Sequence, residues 1–221
     1  MNERLFEELK KQDPAKLTSE MVKIKSYSFM ENQEDESSQY ILDFFRERGI
    51  KAYRTEIAPG RFNVFAVLEG TDGESSPSLM LTGHMDTVPA YDFEDAFSGR
   101  IAEEDDGKKY VYGRGSSDMK GPLASMMCAM AAIKDSGIKL KGDLVFCGVA
   151  DEEEEGIGTA ALIKSGPITD AAVIGEPTSL GIALGHKGLE WIEVEFGGKK
   201  VHGGSQKPCA TSLSALKRTT L

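Results

Sequence analysis

The chain has 221 residues, 40% of them hydrophobic and 28% charged, a balance ordinary for a globular protein. Its formal net charge of −10 argues against a nucleic-acid surface, which needs a basic patch. No apolar run approaches the roughly 18 residues of a membrane span, and the charged start "MNERLFEELKKQDP" has a helical pattern, not that of a signal peptide. Cys128, Cys147 and Cys209 are widely spaced and odd in number, so they imply no disulfide framework, and a cytoplasmic protein is expected.

Asp13-Pro14 supplies an N-cap and a proline at the first helical position, and Leu17, Met21 and Ile24 continue at helical spacing. A second helix is expected over "ESSQYILDFFRERG", with Ile41, Leu42 and Phe45 on one side and Gly49 as its stop. Strand-like runs follow in "IKAYRTEI", "FNVFAVLEG" and "SLMLTG", separated by Pro, Gly and Ser turns. "DGKKYVYGRG" reads as a hairpin arm. "MKGPLASMMCAMAAIKDSG" reads as a long helix ending near Gly137, its methionines filling the core. "GDLVFCGVA" is expected as a buried strand, "TAALIKSG" as a short helix and "AAVIGE" as another buried strand. Strand alternating with helix, in apolar runs, predicts an α/β fold: a mostly parallel sheet covered on both faces, three layers in all. From "HKGLEWIEVEFGGKK" the pattern changes to alternation, which predicts a different, antiparallel layer beginning near Lys187.

In sheets of this kind, ligands sit beyond the carboxyl ends of the strands. After "LMLTG" comes His84, with Asp86 two residues on. After "DLVFCGVA" come Asp151, Glu152 and Glu153, and after "AAVIG" comes Glu176. "VYGRGSSD" puts Asp118 just before the long helix. One histidine and several carboxylates are thus aimed at one edge, and crowding such like charges is costly unless a cation sits among them. The pattern points to a divalent-metal site, and the number of carboxylates to two ions sharing a bridging ligand. Taken singly, each residue also has an ordinary reading: a turn histidine, a solvated acidic loop, an N-cap at Asp118, loop chemistry at Glu176. "GRGSSDMKG" is not a nucleotide loop, because a dinucleotide fingerprint wants glycine where Asp118 stands and no Gly-Lys-Ser/Thr is present.

"GHMDTVP", "GRGSSDMKG", "DEEEEGIGT" and "GEPTS", in this order, resemble the di-zinc amidohydrolases and exopeptidases that include acetylornithine deacetylase, succinyl-diaminopimelate desuccinylase and glutamate carboxypeptidase. The resemblance covers the chain up to about Pro208. It implies a zinc-binding catalytic segment over 1–186, and over 187–221 the start of a smaller α+β dimerisation, or lid, domain. It makes His84 a ligand of one zinc, Asp118 the carboxylate bridging both, and Glu176 the third ligand of the first. Glu153 would bind the second zinc, with Co2+ or Mn2+ as substitute ions. Glu152 would be the general base that takes the proton of the attacking water. A register shifted by one, Glu153 and Glu154, stays open within the acidic run. Asp86 would sit behind His84 and fix its tautomer. His202, in "VHGGSQKP", would reach the site of a partner subunit in a homodimer, and His186 has no matching role. The implied reaction is hydrolysis of an amide bond in an N-acyl amino acid or small peptide.

The resemblance also implies a chain that continues past residue 221 and supplies a late histidine to the second zinc. Only His84, His186 and His202 are present here, and "CATSLSALKRTTL" departs from the usual continuation. A truncated form is therefore expected, with its second ion held weakly. Two functions follow: an active di-zinc amide hydrolase, or a catalytically inactive, metal-binding fragment serving at most as an interaction module.

Overall fold

The computed structural model describes residues 2–179, 181, 182, 184 and 185. The chain divides into two units, Met1–Leu180 and Gly181–Leu221. The boundary expected at Lys187, the alternating stretch after it, His186, His202 and Cys209 lie outside the described residues.

Three helices open the first unit: α1 (Glu3–Lys11), α2 (Pro14–Lys23) and α3 (Asp35–Glu47). The Asn2 side chain accepts from the amides of Arg4 and Leu5 at the start of α1, and Asp13 accepts from Lys16 at 2.9 Å at the start of α2. Those bonds satisfy amides that a helix start leaves without a partner. Strands β1 (Lys51–Ala58), β2 (Arg61–Leu68) and β3 (Leu79–His84) follow, then a two-stranded ribbon, β4 (Arg100–Glu103) with β5 (Lys109–Tyr112). Helix α4 (Lys120–Ser136) ends at Gly137, whose φ of +69° is the left-handed stop that glycine allows. Strand β6 (Leu144–Val149), helix α5 (Ile157–Ser165) and strand β7 (Ala171–Ile174) complete the unit.

The main sheet has the order β1-β2-β6-β3-β7. β3 is parallel to both β6 and β7, while β2 is antiparallel to both of its neighbours. Four of the five strands therefore run one way and β2 alone is reversed, which is the mostly parallel α/β sheet expected. Successive residues of a strand face opposite sides, and here each side has its own core. Val64, Ala66, Leu144 and Phe146 pack with α2, α3 and α4. Phe65, Met80, Val145, Cys147 and Val149 pack on the other face, with Leu162 of α5 against them. Helices thus cover both faces, in three layers.

Cys128 and Cys147 are buried core thiols. Lys120 is also fully buried. Its Nζ donates to the carbonyls of Met21 at 3.2 Å and Ile24 at 2.6 Å, which closes the C-terminus of α2 and ties it to the start of α4. Burial pulls its pKa down to about 7, against the nearby charges of Asp86 and Glu36. One expectation fails: β7 is exposed at all four positions rather than buried. It is the edge strand, paired only to β3 among the described strands, and its apolar character does not by itself bring a cover over it.

Phe45 is fully buried, with the Phe146 ring centroid 5.1 Å away and that of Phe44 at 5.3 Å. Phe45→Ala is expected to cost about 3–5 kcal/mol in urea denaturation. Phe6→Ala, at a ring 45% exposed on α1, is expected to stay within about 1 kcal/mol of the parent.

Candidate metal centre

Register decides what the parallel strands present at their carboxyl ends. His84, the last residue of β3, pairs with Val149, the last of β6. Ile174 pairs with Thr82, so Glu176, two residues further on, comes level with His84. Glu152 and Glu153 follow in the turn beyond β6. Asp118 arrives from the opposite side, next to Met119, whose side chain lies against two strand-end glycines. A Cβ on Gly83 would stand 2.1 Å from Met119 Cε, and one on Gly175 3.1 Å from the same atom. Those bare glycines let β3 and β7 close on the start of α4. The Asp118 side chain is not the N-cap that its position suggests: Met119 is the cap residue, and Asp118 turns to His84 instead.

His84 is 1% exposed. Its Nδ1 lies 3.0 Å from the carbonyl oxygen of Asp86. A carbonyl only accepts, so Nδ1 carries a proton and Nε2 faces the carboxylates. Nε2 stands 3.0 Å from Asp118 Oδ1, 3.7 Å from Glu176 Oε1 and 3.8 Å from Glu152 Oε2. Burial alone would lower the imidazole pKa, but hydrogen bonds with Asp118 and Asp86 and the charges of Asp86 and Glu176 lift it to about 11. Asp118 is correspondingly held down, chiefly by its hydrogen bond to His84. Glu153 is pushed up to about 7 by burial and by the charges of Asp118, Asp86 and Glu152, against the pull of His84. Burial raises Glu176 as well. Burial leads the rise of Glu153 and Glu176, and the negative charge packed around the imidazole adds to it.

Asp86 is fully buried and lies against the imidazole on one side and the acidic turn on the other. Its carboxylate stands 3.6 Å from His84 Nδ1, further off than its own carbonyl. That carboxylate accepts instead from the backbone amides of Glu152 at 3.2 Å and Glu153 at 3.0 Å. One residue thereby touches both the imidazole and the acidic turn.

His84, Glu152 and Glu176 bring one ligand atom each to within 4.8 Å of one another, and so do His84, Asp118 and Glu153. Among the described residues no lysine or arginine forms an ion pair with any of these carboxylates. An imidazole nitrogen with carboxylate oxygens from three separate elements fits a divalent first-row cation, and such a cation would remove the repulsion. Sequence inspection finds each of these residues except those that hold the acidic turn from behind: Glu34, Arg61 and Asn63. Nothing in their local sequence marks them, because Arg61 and Asn63 meet the turn across long stretches of chain and Glu34 reaches it only through Arg61.

A cation at about a thousand times its dissociation constant is expected to stabilise the folded chain by about 4 kcal/mol. The rise in melting midpoint, read by circular dichroism, should be lost in His84→Ala, since His84 belongs to both groups. An unchanged midpoint of the parent chain with Zn2+, Co2+ and Mn2+ alike would exclude the centre.

Comparison with known proteins places the chain in a family. Residues 80–215 match the model of Peptidase family M20/M25/M40. The "Probable succinyl-diaminopimelate desuccinylase" of Staphylococcus epidermidis is 32% identical over 197 residues, which are 88% of this chain and 46% of that protein. A "Probable carboxypeptidase" of Aspergillus clavatus is 32% identical over 202 residues, 89% of this chain and 47% of the relative. The chain thus spans about half the length of the curated relatives it matches. Among solved structures, a tripeptidase from Staphylococcus aureus superposes with a TM-score of 0.59 at 25% identity, over 73% of this chain and 42% of that one. With well over half of its length matched by the family model, on a fold shared with a tripeptidase of known structure, this chain belongs to Peptidase family M20/M25/M40.

Proposed function

We propose that this chain carries the metal-binding part of an amide hydrolase acting on an N-acyl amino acid or small peptide. The observation that carries the reading is His84 Nε2 standing within 3.0–3.8 Å of carboxylates from three separate elements. Family membership supports divalent-metal use, and we take the ions to be zinc, with Co2+ or Mn2+ as substitutes. His84, Asp118 and Glu176 would hold one ion, and Asp118 and Glu153 the second. When bound, the ions would supply Lewis acidity to the scissile carbonyl and to the attacking water.

The chain's own residues do the rest. Asp86 keeps the proton of His84 on Nδ1 through its carbonyl, leaving Nε2 as the ligating atom. Glu152 acts as general base and hands its proton to the departing amine. Its side chain is 49% exposed, so water and substrate can reach the carboxylate that the turn presents. The names of the relatives, a desuccinylase and a carboxypeptidase, support amide bonds as the substrate class. We further infer a homodimer in which His202 of one subunit assists the centre of the other.

Glu152→Gln is expected to lower turnover of N-succinyl and N-acetyl amino acids or dipeptides by about 10²–10⁴-fold, with metal content unchanged by atomic absorption. A variant that keeps full turnover would remove Glu152 from the base role. A parent that binds metal but hydrolyses none of these substrates would overturn the reading for this chain.

A further inference from the structure

The acidic turn poses a mechanical problem that the metal ligands do not solve. Asp151 is followed by four consecutive glutamates, whose charges repel one another and favour an open, solvated loop. Glu152 and Glu153 nonetheless have to point at Asp118 and His84 with a fixed backbone.

The backbone is gripped from behind, and the grip comes from β2. Because β2 is antiparallel to β6 with Val64 opposite Gly148, continuing that register sets Asn63 level with Val149 and Arg61 level with Asp151. Residues two apart in a strand share a face. The Asn63 amide, 1% exposed, accepts from the Ala150 amide at 3.0 Å and donates to the Gly158 carbonyl at 2.8 Å, pinning both ends of the turn. Arg61 Nη2 donates to Asp151 Oδ1 at 2.9 Å and to Glu34 Oε1 at 2.5 Å, while its Nε donates to Glu34 Oε2. That fork is the bidentate geometry for which arginine is suited. Glu34 is fully buried at the start of α3, so Arg61 is anchored to the core rather than to the surface. Asp151 passes the grip on: its Oδ2 accepts from the amides of Glu155 at 3.2 Å and Ile157 at 3.4 Å, and its carbonyl accepts from Gly156 at 2.6 Å. It does so at φ +64°, a left-handed conformation uncommon for a residue other than glycine.

We propose that Arg61, anchored on Glu34, is a positioning residue for the catalytic turn. Through Asp151 it fixes the backbone of 152–157, so that Glu153 meets Asp118 for the second ion and Glu152 stands where its proton transfer is made. It touches neither metal nor substrate. The proposal rests on the two-ion reading above, and it predicts a selective effect. On the ligand sets taken above, the ion of His84, Asp118 and Glu176 draws no ligand from the turn and feels it only through Asp86 and the neighbouring Glu152, whereas the ion of Asp118 and Glu153 takes a ligand from it directly.

The test uses the full chain as Arg61→Met and as the double variant Glu34→Gln/Arg61→Met. The second keeps the test open if an unpaired buried Glu34 alone prevents folding. Co2+ titration followed by visible absorption reads the two ions, and amide hydrogen exchange of the metal-free protein reads the turn. We expect the weaker ion to lose at least about tenfold in affinity, the tighter one to change less than about threefold, and exchange to rise over 152–157 while α4 stays protected. Arg61→Lys, a point charge that cannot fork, should fall between parent and Arg61→Met. Parallel weakening of both ions, or unchanged exchange in the turn, would overturn the proposal. A parent that binds no Co2+ would defeat the two-ion reading instead. Exchange would then decide the positioning role alone: a rise confined to the turn supports it, and a uniform rise sinks it.

Discussion

The constraint on which the rest of this fold depends is electrostatic. One buried imidazole and a set of carboxylates from separate elements converge at one sheet edge, and like charges at such spacing repel unless something cationic stands between them. His84 stands at the centre of that charge, with its Nε2 toward the carboxylates and its Nδ1 on the carbonyl of Asp86. A divalent cation there would supply the positive charge. Candidate ligands already held this close would need little reorganisation to receive an ion.

Convergence of this kind needs rigid delivery, and the chain achieves it in two ways. The parallel strands end together, so His84, the turn after Val149, and Glu176 reach one level by register alone. Helix α4 is then drawn in over the bare glycines at 83 and 175, which brings Asp118 across the gap to His84. Asp86 links the two kinds of delivery. Its carbonyl sets the ring and its carboxylate holds the amides of Glu152 and Glu153, so strand end and turn cannot drift apart independently.

The sequence showed the ligand candidates because each follows a strong local signal: an apolar run that stops at a polar residue, or a glycine pair before a long helix. The same signals located the helices and strands, including the stop of α4 at Gly137. The exposure of β7 is not legible in its residues, because apolar composition reports what a strand can pack against, not what lies beside it; among the described strands β7 has a neighbour on one side only. The family resemblance sets Asp86 behind His84, but local sequence carries no sign that its carboxylate also accepts from amides 66 and 67 positions away. Arg61 and Asn63 gave no warning at all. An arginine and an asparagine at the start of an ordinary strand acquire meaning only when β2 is known to lie beside β6.

That adjacency has a consequence tied to the direction of β2. In an all-parallel sheet, every strand sends its last residues to the ligand edge, and its first residues lie at the far end. Reversing one strand places its opening residues at the ligand edge instead, next to the end of β6. Residues that leave a strand end run into loops, where they are free to carry ligands. Residues that open a strand are already bound into the ladder, and are better suited to hold a neighbour still. The parallel strands lead into the part-exposed carboxylates of Glu152 and Glu176, and the reversed strand supplies the buried amide of Asn63 and the half-buried guanidinium of Arg61 that grip the turn. The single antiparallel strand next to β6 is thus not an irregularity in a parallel fold. It provides the back support that a turn of four adjacent glutamates needs to keep one shape.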